Sequence, residues 1–425
     1  MSFMQERYDK LLLLFLPETV LFLEKPALFM KKLLLYSILS SFLLLHACKK
    51  KDSEYTPPPP PPVPPIVPPS IPANFFKTFA DSLEKGLDMS QFGYAISIYD
   101  GNKLMINRAA GPRSRSMDAG GPEPFTDTTR IHVASISKTI TALATLKILQ
   151  EKGISLAEPV FKYLPSQWTI TQDFKTVTFR ELLKHTSGIR NPDGTCNNAD
   201  INSYASLKAI AEGPINTSKT YCYQNANFGL LRIILPVIKG LITNGTTADD
   251  INTQKGYEAI IQEYIFQKAG VKTAYCEWRP SNALLFEFPN AGKPSFNSGN
   301  LLFRSGGLGW YLSAEEVGKV MSQLSDPANE AILANNWKDS LLQKGYGCFT
   351  STTIKGTAYW HDGLWYRTFS GDAQGMRGLW IKLPANITVV LLVNAVRGPA
   401  SMADFPVYNT GIISYVVNAY NKTIN

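Results

Sequence analysis

The chain has 425 residues, 44% of them hydrophobic and 18% charged, with 42 basic against 34 acidic side chains and a net charge of +8. That balance describes a folded protein with a sizeable core and excludes a disordered or fibrous chain. No basic run is longer than Lys49–Lys51, and the four histidines form no Cys/His cluster at zinc spacing, so no nucleic-acid partner, metal or other cofactor is expected.

In chain order, residues 30–48 read MKKLLLYSILSSFLLLHAC. Lys31 and Lys32 precede an apolar stretch, Leu33 to Leu45, that is too short to span a membrane comfortably. Leu45-His46-Ala47-Cys48 resembles a bacterial lipobox, in which the small residue permits cleavage and the thiol of Cys48 becomes lipidated. An uncleaved anchor helix is the alternative. Either way, the expected location is the bacterial cell envelope, tethered to a membrane at its periplasmic or outer-membrane face. Residues 1–29 stand upstream of a complete signal and are broken by Pro17, Glu18 and Glu24, so translation is expected to start at Met30. From Pro57 to Pro72, eleven of sixteen residues are proline. Fixed φ and missing amides favour a polyproline spacer of roughly 50 Å over a packed core, leaving a folded domain over 74–425. Without residues 1–73, the remaining 352 carry 34 basic and 28 acidic side chains, which no longer points to a polyanion.

Phe76, Phe79, Ala80, Leu83 and Leu87 recur at helical spacing. Gly93–Tyr99 and Lys103–Arg108 flank Asp100-Gly101-Asn102, a hairpin signal. The stretch of about 140–345 reads as mainly helical, with segments at 135–151, 179–184, 225–238, 249–269 and 314–324. Strand character returns at 378–382 and 387–396, and Ile412–Tyr420 reads as a helix. Strands at both ends with helices between them predict one antiparallel sheet, built from the two chain ends and interrupted by a helical insertion, an α/β (α+β) fold.

Within that frame, Ser135-Ile136-Ser137-Lys138 is an S-x-x-K. A spacing of three puts both side chains on one helix face, where an amine can reach a hydroxyl that is a weak nucleophile by itself. Ser82 and Lys85 share the spacing but sit on an exposed-looking amphipathic helix. By contrast, every residue from Ile140 to Leu149 is apolar or threonine except Lys147, so Ser135 opens a buried helix. Tyr223 and Asn225, two apart on a loop, offer a proton shuttle and an amide; a buried tyrosine and a capping asparagine are the plainer alternative. His361-Asp362-Gly363 lies on strand-like sequence. Period-two alternation puts His361 and Gly363 on one face, where the glycine would let a substrate lie along the strand.

These elements, separated by roughly 88 and 138 residues, resemble the serine β-lactamase and penicillin-binding-protein superfamily. The likeness is to its class C-type β-lactamase, D-alanyl-D-alanine carboxypeptidase and esterase branch. Leu182-Leu183-Lys184-His185-Thr186-Ser187-Gly188 and Ser305-Gly306-Gly307-Leu308 are similar to two further segments of that family, and the likeness covers about 74–425. It implies a β-lactamase-like fold and an acyl-enzyme hydrolase. Ser135 would be the nucleophile, Lys138 and Tyr223 would share the proton transfers with the base left open between them, and Asn225 would hold the substrate amide. His361 and Gly363 would bind substrate, and the amides of Ser135 and Leu364 would form the oxyanion hole. His185 is read as structural. Many relatives carry Lys-Thr/Ser-Gly where this chain has His361-Asp362-Gly363, and the lysine helps hold a substrate carboxylate. The implied substrate is therefore a small peptide or ester, with weak β-lactam turnover, acted on by a monomer. A penicillin-binding or peptidoglycan-binding sensor that does not turn over, or a degenerate scaffold, is the alternative. Cys196, Cys222, Cys276 and Cys348 allow two disulfides in three connectivities. A Cys196–Cys222 bridge would brace the Tyr223 loop; four buried thiols are the other possibility.

Overall fold

The computed structural model describes residues 71–425 except 197–199, 246, 400–402 and 408–409. The signal, Cys48 and nearly all of the proline tract lie outside the described residues. Gly101 and Asn102 make a two-residue connection between β1 (Tyr94–Asp100) and β2 (Lys103–Ala110), with Asp100 opposite Lys103 and Gly101 at φ +54°. Only glycine and a few small polar residues take that backbone cheaply, which is why this hairpin was readable.

On its other side β1 pairs antiparallel with β7 (Ile387–Val393), from Tyr94 opposite Val393 to Asp100 opposite Ile387. The sheet therefore joins the two ends of the chain, as the sequence predicts. It continues through β6 (Asp372–Lys382), β5 (Gly356–Phe369) and β4 (Phe349–Thr353). Two short strands complete eight: β3 (Phe286–Phe288) meets β6 at Gly375, and β8 (Ala395–Arg397) runs parallel to β3. β3 comes from inside the mainly helical stretch and was not anticipated.

Both faces of the sheet are covered, so β7 reads as a buried, nearly unbroken apolar run, with Thr388 its one polar residue, rather than an alternating one. Ile96, Ile98, Val389, Leu391 and Val393 pack with α1 (Phe75–Glu84) and α9 (Ile412–Thr423). There Phe75 and Phe79 meet the Tyr420 ring at 6.0 and 6.1 Å. Ala95, Val390 and Leu392 face the other way, into the larger core shared with the helical insertion. Its central rod is α2 (Ser137–Lys152), buried on every side from Ser137 to Leu146 and stopped by Gly153 at φ +65°. Around it lie α3 (Phe179–Leu183), α4 (Tyr204–Glu212), α5 (Asn225–Lys239), α6 (Asp250–Ile261), α7 (Ala314–Met321) and α8 (Asn335–Lys344). A reciprocal cap between Thr178 and Glu181 starts α3. All described residues belong to a single compact unit, Val67–Asn425.

Candidate active site

Ser135 sits in a short 3-10 turn, Ala134–Ile136, that feeds α2. The preceding residue, Ala134, is held at φ +46°, a left-handed conformation that costs a non-glycine residue of order 1 kcal/mol or more. Two neighbours fix it there: the amide of Val133 donates to Trp310 O at 2.9 Å, and Ile131 pairs with Leu312. One helical turn on, the amine of Lys138 lies 2.9 Å from Ser135 Oγ. Lys138 is completely buried and also bonds Asn225 Oδ1 at 2.7 Å and Gly307 O at 3.0 Å. Burial brings its pKa down from 10.5 to about 7, against the opposing pull of the Asp362 charge. A neutral amine has two N–H donors and one lone pair. Asn225 and Gly307 take the donors, which leaves the lone pair for the Ser135 hydroxyl.

Ser305-Gly306-Gly307-Leu308 owes its shape to that lysine and to α5. A Cβ on Gly306 would stand 2.3 Å from Phe228 O, so only glycine lets this segment reach the helix backbone. Gly306 O then accepts from Thr141 Oγ1 at 2.6 Å and Gly307 O from Lys138.

Burial pushes the Tyr223 phenol well above the usual range, against a smaller lowering by the Ser135 hydroxyl. The Tyr223 loop hangs on His185. Cys222 N donates to His185 O at 2.8 Å, Gln224 N donates to His185 Nδ1 at 3.2 Å, and the His185 ring lies 4.4 Å from the Tyr223 ring. His185 itself takes φ +56° directly after α3. It is structural, as expected, but what it holds is the tyrosine loop as well as its own turn. Cys222 is bonded to Cys196, with Cα atoms 5.6 Å apart, while Cys276 and Cys348 are buried free thiols. The bracing bridge is therefore present and the second disulfide is not.

Ser135, Tyr223, Asn225 and Leu364 share the wall of a cavity of about 490 Å³ with Asp200, Leu308, Asp362, Trp365, Tyr366 and Arg377. His361 and Gly363 do not reach it, which corrects the expectation that they face the substrate. A Cβ on Gly363 would meet Val133 O at 2.4 Å. The glycine thus serves close approach of β5 to the segment that carries Ser135, and this brings Leu364 to the same cavity wall as Ser135. His361 is buried behind Tyr223, their rings 6.2 Å apart, and its Nδ1–H donates to Asp362 O at 2.7 Å. Burial lowers its pKa to about 4, so it is uncharged at neutral pH. From β5 the cavity takes Asp362, Leu364 and Tyr366, the alternate set, together with Trp365.

Sequence reasoning missed Asp200, Arg377 and the Gly307 carbonyl. Arg377 had a signal: it is the one charge inside the apolar run Met376–Ile381 of β6, and it stands opposite Leu364. Its guanidinium bonds Asp362 Oδ2 and reaches Asp404 at 3.4 Å. Asp200, in an irregular loop and bonded to Arg304, had none.

The profile of the family described as Beta-lactamase matches residues 79–407. The chain belongs to the beta-lactamase family. A curated relative, the teichoic acid D-alanine hydrolase of Staphylococcus aureus, is 25% identical over 251 residues, 57% of this chain and 56% of the relative. The chain thus spans about half the length of the curated relatives it matches. Among solved structures, the D-amino acid amidase from Ochrobactrum anthropi SV3, complexed with L-phenylalanine amide, aligns with a TM-score of 0.61 at 15% identity, covering 83% of this chain and 99% of that one. FmtA from Staphylococcus aureus aligns with a TM-score of 0.59 at 17% identity, covering 83% and 90%. At these identities the two structures speak for the fold, the beta-lactamase-like sheet and helical insertion described above.

Proposed function

We propose that the protein is a serine hydrolase working through an acyl-enzyme on amides or esters of D-amino acids. The observation that carries this is the buried Lys138 amine, 2.9 Å from Ser135 Oγ with both its N–H groups engaged elsewhere. Neutral Lys138 takes the proton of Ser135 as Oγ attacks the carbonyl carbon. The backbone amides of Ser135 and Leu364 receive the oxyanion, an arrangement that contributes about 10²–10³-fold per donor. Tyr223, protonated across the working range, passes its proton to the leaving nitrogen or oxygen and is resupplied from Lys138. Water then attacks the Ser135 ester with the same groups acting in reverse. Asn225 keeps the lysine oriented through Oδ1. Of the two candidate bases, Lys138 is supported by a pKa brought down near 7, whereas burial holds the phenol far above.

The D-amino-acid class is supported by the names of the hydrolase and amidase relatives. Purified protein and Ser135→Ala are treated with a fluorophosphonate and with a fluorescent penicillin, and intact mass is followed with time. Labelling of the parent alone, followed by loss of the penicilloyl adduct, is the expected result. A permanent penicilloyl adduct would make the protein a sensor, and no labelling by either reagent would make it a scaffold. We further propose anchoring through Cys48, supported by the Leu45–Cys48 signal, and action as a monomer. Cys48→Ala should move the protein from the membrane to the soluble fraction, and sedimentation of the detergent-solubilised protein should report one copy.

A further inference from the structure

We propose that the cavity selects an acyl donor with a free α-ammonium, an aminoacyl ester or amide, through the carboxylate of Asp362. This rests on the hydrolase reading above and names its substrate class. The cavity wall holds three charged side chains: Asp200, Asp362 and Arg377. Each cation that could greet a substrate carboxylate is occupied or absent. Arg377 is bound by two carboxylates, Asp362 and Asp404. Arg304, over the Trp365 ring at 5.3 Å, is bound to Asp200. His361, at the place of the family's lysine, is uncharged and shut away from the cavity. A terminal carboxylate would have to displace a protein carboxylate from a guanidinium, gaining nothing.

For a cation the arrangement is the reverse. Asp362, Asp404 and Arg377 together carry one net negative charge. Asp362 Oδ2 accepts from Arg377, but no described residue donates to Oδ1. The nearest candidate, His361 Nδ1 at 3.9 Å, spends its proton on Asp362 O. Asp362 lies two residues before Leu364, roughly 6.6 Å along β5, and both line the cavity. The α-ammonium of the acyl group would occupy this interval, between its carbonyl at Ser135 and Oδ1.

The test measures kcat/KM of the purified protein on D-alanine p-nitroanilide, on its N-acetyl derivative, and on a peptide ending in D-alanyl-D-alanine with its free carboxylate. The expected result is a preference of about tenfold or more for the free amine over the N-acetyl compound, the scale of one charge-assisted hydrogen bond. That ratio should collapse at least fivefold in Asp362→Asn and recover in Asp362→Glu. If Asp362→Asn does not fold, Asp404→Asn serves: it leaves Arg377 wholly to Asp362 and should reduce the same ratio. A preference for the carboxylate-terminated peptide, or a ratio unchanged in these variants, overturns the inference while the hydrolase reading stands. Absence of fluorophosphonate labelling at Ser135 overturns both.

Discussion

Replacing Lys138 by methionine separates the cost of the catalytic amine from its use. The fold keeps this group with a pKa of about 7 against 10.5 in the free side chain. Holding it charged therefore costs about 5 kcal/mol below pH 7. Methionine has similar length and no charge. Its variant loses the bonds to Asn225 Oδ1 and Gly307 O, each loss worth about 1–3 kcal/mol, but that penalty does not depend on pH and drops out of the slope. Between about pH 7 and 10.5 the unfolded parent binds a proton that the folded parent does not, so its stability rises with pH. Urea unfolding of both proteins from pH 6 to 10 should show a difference that is flat below about 7. Above that it should shift toward the parent by about 1.4 kcal/mol per pH unit. The same amine sets the rate, so kcat/KM should fall tenfold per unit below a limb near pH 7, and the limb should coincide with the corner of the stability curve. A difference that stays flat throughout would mean that Lys138 is charged in the fold, and the assignment of the base would fail.

Three other outcomes follow from the geometry. Removing the Cys196–Cys222 bridge, by Cys196→Ser with Cys222→Ser, releases a loop with a sequence separation of 26; by chain entropy this should lower stability by about 3.5 kcal/mol in calorimetry or urea unfolding. Gly363→Ala puts a methyl 2.4 Å from Val133 O, and the resulting retreat of β5 should reduce kcat by about 10²-fold while KM changes little, as expected for a disturbed oxyanion position. Cephalosporin hydrolysis, followed by absorbance, should stay far below that of a dedicated resistance enzyme, because Arg377 is already held by Asp362 and Asp404 and His361 carries no charge to hold the drug's carboxylate.

What could be read in advance depended on whether a local rule carried the information. Gly101-Asn102 announces its hairpin and the three-residue spacing of Ser135 and Lys138 their meeting, because each is settled within one turn of chain. Alternation along β5 predicts two faces but does not say which of them looks into the cavity. That depends on Val133 O pressing on Gly363, a contact between segments more than two hundred residues apart. Of the residues expected from β5, Leu364 reaches the cavity, whereas His361 and Gly363 lie on the right strand but turn away from it. Arg377 and the Gly307 carbonyl escaped notice for a similar reason, since each matters only through a partner on another strand or helix. α8 left a faint signal because it buries only Lys338, Leu341 and Leu342. The role of His185 was half visible: its turn is local, whereas its grip on the tyrosine loop is not.

A sheet closed by its last-made strands has a temporal consequence. Ser135, Lys138 and Tyr223 are all synthesised long before β5, β6 and β7, yet Leu364 and the wall of Asp362 and Arg377 arrive only with those strands. Until the ribosome has passed Val393, β1 has no β7 to pair with and the nucleophile has no oxyanion strand beside it. The catalytic groups are thus inert by order of manufacture. An unfinished chain carries the proposed nucleophile without the means to use it, and hydrolytic competence comes only with completion of the fold, after the slow long-range pairing that such a topology demands.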